Sequence, residues 1–113
     1  MKLIYVAGPF RGANAWEIER NVRRAEETGY DVFKCGAMPV IPHANTRFFH
    51  GQGPDQFWLD GTLELARRCD GLILTPDWER SSGSREERRV VLERGAPVFY
   101  TPADLAAWMR STQ

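Results

Sequence analysis

The chain alternates between short apolar runs and longer stretches in which apolar residues recur at helical spacing. Lys2 to Ala7 (KLIYVA) is apolar on both faces after its first residue, the pattern of a strand covered on both sides in a parallel sheet. Gly8 to Gly12 (GPFRG) then breaks it, glycine permitting close backbone approach and proline ending the ladder. From Asn14 the apolar or small positions Ile18, Val22, Ala25, Gly29, Val32 and Gly36 recur at steps of four, three, four, three and four. That period predicts one helix carried through Gly29 and ended by Gly36, with a strand at Tyr30 to Phe33 as its competitor. Met38 to His43 (MPVIPH) predicts a second strand with His43 at its carboxyl end.

A polar, glycine-containing loop follows from Ala44 to Pro54, and Asp55 to Arg68 then presents Trp58, Leu59, Leu63 and Ala66 along a helical face. Leu72 to Thr75 reads as a third strand, Ser84 to Arg94 as an amphipathic helix stopped by Gly95, Pro97 to Tyr100 as a fourth strand and Pro102 to Arg110 as a closing helix. This β-α alternation has crossovers of the right length for an α/β fold. The expected architecture is a single three-layer domain, a doubly wound parallel sheet of four to five strands of the Rossmann-like or flavodoxin-like kind.

Length agrees with one domain, since 113 residues bury about 65% of the unfolded surface. Fifteen basic and fifteen acidic residues cancel, so neither a nucleic acid polymer nor an anionic membrane is the expected partner. A small, local ligand is. Cys35 and Cys69 have neither CxxC nor metal spacing and read as small buried residues of a reduced, cytoplasmic protein; no leader and no membrane-length apolar run is evident.

Sheet topology decides which residues can meet. Tyr5, the Gly8 to Gly12 turn, His43 and the segment from Asp77 to Glu87 all fall at the carboxyl ends of strands, the edge where open α/β sheets bind ligands. Asp70 falls at the opposite end and reads as a strand-start or capping residue. Ser84-Arg85-Glu86-Glu87 matches the S-x-x-E capping box, in which Glu87 bonds back to the Ser84 N–H. Alternatively, Glu87 is a nucleophile kept ionised by the positive end of the helix dipole. Ser81, Ser82 and Gly83 offer hydroxyls and N–H groups suited to a phosphate or sugar, and Arg11 a charge-assisted contact. Phe10, Phe48, Phe49 and Trp78 are candidate walls of a base slot. No dinucleotide or phosphate-loop fingerprint and no nucleophile elbow is present, and His43 and His50 lack partners at ligand spacing. Neither a metal nor a cofactor is expected.

Several of these stretches together resemble the nucleoside 2-deoxyribosyltransferase-like proteins, particularly small bacterial and phage members, and more distantly the deoxynucleoside monophosphate N-glycosidases. The likeness lies in Ile4 to Phe10, Asn21 and Ala25 of the first helix, Pro42-His43, Cys69 to Leu72, and the Ser-x-Gly-x-x-x-Glu of Ser81 to Glu87. It implies Glu87 as catalytic glutamate, Tyr5 as the strand tyrosine that orients it, and Arg11 and Ser81 as ligands of a 5′-phosphate. It further implies a site binding a nucleoside or nucleoside monophosphate, with Gly8, Phe10, His43, Asp77, Trp78, Ser82 and Gly83 around it, and assembly as a homodimer or larger. The family's second carboxylate falls near Thr62, bracketed by Asp60 and Glu64; Asp60, nearer the start of its helix, is the expected equivalent. The activity so implied is cleavage or transfer of an N-glycosidic bond through a glycosyl ester on Glu87.

Overall fold

The computed structural model describes residues 1–49 and 51–112. Among them, four strands form one parallel sheet: β1 (Leu3–Ala7), β2 (Met38–Val40), β3 (Gly71–Leu74) and β4 (Val98–Phe99). They stand in the order β2-β1-β3-β4, with Tyr5 opposite both Val40 and Leu72, and Ala7 opposite Leu74. Five helices connect and follow them: α1 (Ala15–Lys34), α2 (Pro42–Asn45), α3 (Asp55–Arg67), α4 (Ser82–Glu93) and α5 (Pro102–Ser111). The expected α/β fold is therefore present, with four strands.

Because successive strand residues point to opposite faces, the sheet has two cores. Ile4, Val6, Ile73 and Phe99 pack against Val32 of α1 and Leu105 and Met109 of α5. Tyr5, Ala7, Leu72 and Leu74 pack against Ala66 of α3 and Val91 of α4. This is the three-layer, doubly wound arrangement, and it faces Tyr5 toward α3 and α4.

Gly29 lies inside α1, so the competing strand at Tyr30 to Phe33 does not form. A side chain at Gly29 would press on Ile41 and Pro39, so its lack of a Cβ lets the segment after β2 pack directly on the helix. Asn14 caps α1, its Oδ1 accepting from the Glu17 N–H at 2.9 Å.

Two expected boundaries move. The second strand ends at Val40 rather than His43, because Pro42, with its φ fixed and its N–H absent, starts α2 and carries His43 into it. The fourth helix starts at Ser82 rather than Ser84, because Ser81 is the capping residue; its Oγ accepts the Ser84 N–H at 3.0 Å. Both cysteines are free, but Cys35 is only half-buried where burial was expected. Asp70 immediately precedes β3, accepting the Leu3 N–H through Oδ2 at 2.8 Å. No helix among the described residues is long and apolar enough to cross a membrane.

Candidate functional site

In the order β2-β1-β3-β4 the chain leaves β1 in one direction to β2 and returns in the other to β3. The carboxyl ends of β1 and β3 therefore form the switch point where doubly wound sheets open a crevice. A cavity of about 360 Å³ occupies it, within the size range of small-molecule sites. The β1–α1 loop, α2, the first turns of α3 and the first turns of α4 wall it.

At its base the Tyr5 hydroxyl donates to the Glu87 carboxylate. Tyr5 is fully buried, and burial, followed by the charge of Glu87, pushes its phenol well above its usual value, so it stays a donor. Glu87 as a residue is half-buried, but its carboxyl is turned inward, and desolvation pushes it up to about 7 against the hydrogen bonds of Tyr5 and Thr62. Thr62 reaches the same carboxyl from α3. Its hydroxyl donates to the Leu59 carbonyl at 3.0 Å, and its single proton serves either that carbonyl or Glu87.

These contacts overturn the capping-box reading of Glu87, and the helix dipole as the source of its charge in the other reading. With Ser81 as cap, Glu87 lies in the second helical turn, out of reach of the Ser84 N–H. It is also beyond the first turn, where the dipole acts most strongly, so burial rather than the dipole governs its charge.

Gly8 follows β1 because a Cβ there would overlap the buried Thr75 side chain. Beyond it the loop is pinned by Asn21, whose Nδ2 donates to the Phe10 and Arg11 carbonyls at 3.0 and 3.1 Å. His43 is buried, and its Nε2–H is shared between the Gly8 carbonyl at 2.8 Å and the Pro9 carbonyl at 3.1 Å. Desolvation lowers its pKa despite those bonds, so the ring is neutral and Nδ1 carries a lone pair. Among the described residues, two buried side-chain polar atoms have no hydrogen-bond partner, His43 Nδ1 and Ser84 Oγ, and both residues line this cavity. An unmet buried polar atom costs about 1–3 kcal/mol, which a ligand offering hydrogen bonds would recover.

Of the sequence candidates, Tyr5, Gly8, Phe10, Arg11, His43, Ser81, Ser82, Gly83 and Glu87 line the cavity together. Arg11 reaches the rim, where it pairs with Asp55 at 3.3 Å and both remain exposed. Asp60, Asp77 and Trp78 do not join them. Asp60 is exposed on the outer side of α3, where its Oδ1 accepts from Gln56 Nε2 at 2.7 Å. Asp77 is held by the Thr75 hydroxyl at 2.8 Å and by Arg80 and Arg24; desolvation is outweighed by these contacts, and its pKa is lowered. Trp78 packs on Tyr100, with Arg88 over its ring. Phe48 is 83% exposed under Arg47 and forms no wall, whereas Phe49 lines the cavity. His50 lies outside the described residues.

Sequence reading missed Asp55, Trp58, Leu59, Thr62 and Ser84 as lining residues. Trp58, Leu59 and Thr62 share one helical face, a signal that reads equally as core packing. Trp58 takes the place expected of Trp78: its Nε1 donates to the Gln52 carbonyl at 2.6 Å, and its ring lies 5.8 Å from that of Phe49.

Residues 2–101 match a family model described as a domain of unknown function, DUF7768. The chain belongs to this family. The match spans all four strands of the DUF7768 domain and every residue that lines its cavity, and it stops before α5. No curated protein matches the chain.

Proposed function

We propose that this DUF7768 domain cleaves the N-glycosidic bond of a nucleoside or nucleoside 5′-monophosphate. The observation that carries the proposal is the Tyr5–Glu87 pair at the base of the switch-point cavity. Glu87 attacks the anomeric carbon in its ionised form; the carbon–nitrogen bond breaks as the ester bond to Glu87 Oε forms, and the base leaves with the electron pair. Water or a second base then attacks the same carbon and releases the carboxylate, with retention. Tyr5 orients Glu87. Phe10, Phe49 and Trp58 wall the base, and Ser81, Ser82, Gly83 and Arg11 hold the 5′ end. Asp55, the second carboxylate lining the cavity, takes the proton that the attacking water gives up and passes it to the departed base.

The likeness to nucleoside 2-deoxyribosyltransferase-like proteins supports the same reading, and with it a cytosolic setting among small nucleotides and self-association, which sedimentation measures. The test is incubation with a panel of nucleosides and monophosphates, followed by chromatography for free base. Release is expected, and release that persists undiminished in Glu87→Ala overturns the mechanism.

A second reading, a nucleotide-binding module without turnover, is favoured by Thr62 standing where the resemblance places an acid. It expects thermal stabilisation by nucleotides with no base released at long incubation.

A further inference from the structure

A second depression of about 200 Å³ adjoins the cavity and shares Pro9, Arg11 and Arg80 with it. Three segments bring four guanidinium groups to its walls: Arg11 from the β1–α1 loop, Arg20 and Arg24 one turn apart on α1, and Arg80 after β3. One carboxylate, Glu17, lines it, and that residue is committed to the start of α1, where its Oε1 accepts the Ala13 N–H at 3.2 Å.

Two of the arginines are held in place rather than neutralised. Asp77 Oδ2 accepts from Arg24 Nη1 at 3.2 Å and from Arg80 Nη2 at 2.9 Å, while its Oδ1 is fixed by the buried Thr75. Each guanidinium carries five N–H donors and spends one here, so most of its donors stay available. Arg20 makes no ion pair among the described residues. Beyond Asp77 the surface turns acidic with Glu27 and Asp31, which bounds the path an anion can take.

We propose that this arginine cleft is a subsite for the second phosphate of a nucleoside diphosphate group whose sugar occupies the main cavity. The inference rests on that cavity being a nucleotide site and extends its ligand class from one phosphate to a phosphate chain. Arg11 and Arg80, shared by both depressions, bridge the first phosphate and the second. Arg20 and Arg24 meet the far end, where planar guanidinium forks suit phosphate oxygens.

The test is calorimetry on the full chain carrying Glu87→Gln, which stops turnover. Nucleoside 5′-mono- and diphosphates of each common base are compared, with inorganic pyrophosphate alongside. A charge-assisted contact predicts diphosphates binding about tenfold tighter than monophosphates. Arg20→Ala should abolish that gap and leave monophosphate binding within about twofold; with no hydrogen bond or ion pair among the described residues, Arg20 can be replaced without loss of fold, and an unchanged melting temperature checks this. Equal affinities for mono- and diphosphates, a gap that survives Arg20→Ala, or tight binding of pyrophosphate alone each overturns the subsite, as does no binding at all. Base release, read separately on the unsubstituted protein, distinguishes this failure from that of the glycosidic mechanism.

Discussion

A carboxyl with an ordinary value of 4.5 that burial lifts to about 7 binds its proton more tightly in the folded chain than in the unfolded one. Between those two values the folded state holds the extra proton, so stability falls as pH rises through that window. Above it the ionised Glu87 costs roughly 3 kcal/mol. Glu87→Gln, which keeps an acceptor for Tyr5, should therefore raise the melting temperature by several degrees at pH 8. The gain should shrink as pH falls and vanish below about 4.5; calorimetric scans across pH check this, and a gain independent of pH contradicts it. The same carboxyl sets the expected rate profile, because the attacking form is the ionised one. Base release should climb with pH to a plateau above about 7. Since the phenol donates to the carboxylate and favours its charge, Tyr5→Phe should move the climbing limb to higher pH, as kcat/KM against pH would display. Asp60→Ala, exposed and outside the cavity, should leave base release unchanged, while Asp55→Ala should slow it.

Each element brings its residue to the site by a local device that can be tested apart from function. Ser81 fixes the first turn of α4 and hence which helical face carries Glu87; Ser81→Ala should cost about 1 kcal/mol in denaturant unfolding, the usual loss for a capping hydroxyl. Gly8 admits β1 against Thr75, whose β-branched side chain is buried and fixes Asp77. Gly8→Ala should destabilise by about 1–3 kcal/mol through overpacking. At this scale the sequence was readable in part. The period of α1 survived Gly29 because five turns of apolar spacing outweigh one glycine. The start of α4 is ambiguous in the sequence because Ser81 and Ser84 both sit three residues before a residue able to complete a cap. Only the path of the chain after β3 selects Ser81. Likewise Trp58 and Trp78 both lie beside polar loops, and nothing local separates the one that walls the cavity from the one that packs on Tyr100.

For the molecule as a whole, the site depends on two cores lying on opposite faces of one sheet. Leu105 and Met109 of α5 close the core on the α1 face, away from Tyr5 and Glu87, although α5 lies beyond the family match. A chain ended at residue 101 should lose several kcal/mol, since each large buried apolar side chain removed costs about 2–5 kcal/mol. Circular dichroism melting should then show a lowered transition or none.

The alternation of apolar runs with helical periods determined the α/β class, the sheet's parallel sense and the edge at which Tyr5, His43, Ser81 and Glu87 gather, because those follow from chain order and crossover length alone. Packing decided the rest: that Glu87 turns to Tyr5 instead of to its own helix, that Asp55 and Thr62 rather than Asp60 face the cavity, and that the arginines of α1 meet Arg80. The reason is physical. Period and propensity act between near neighbours, whereas burial, charge and cavity shape arise from segments that the chain brings together only when folded.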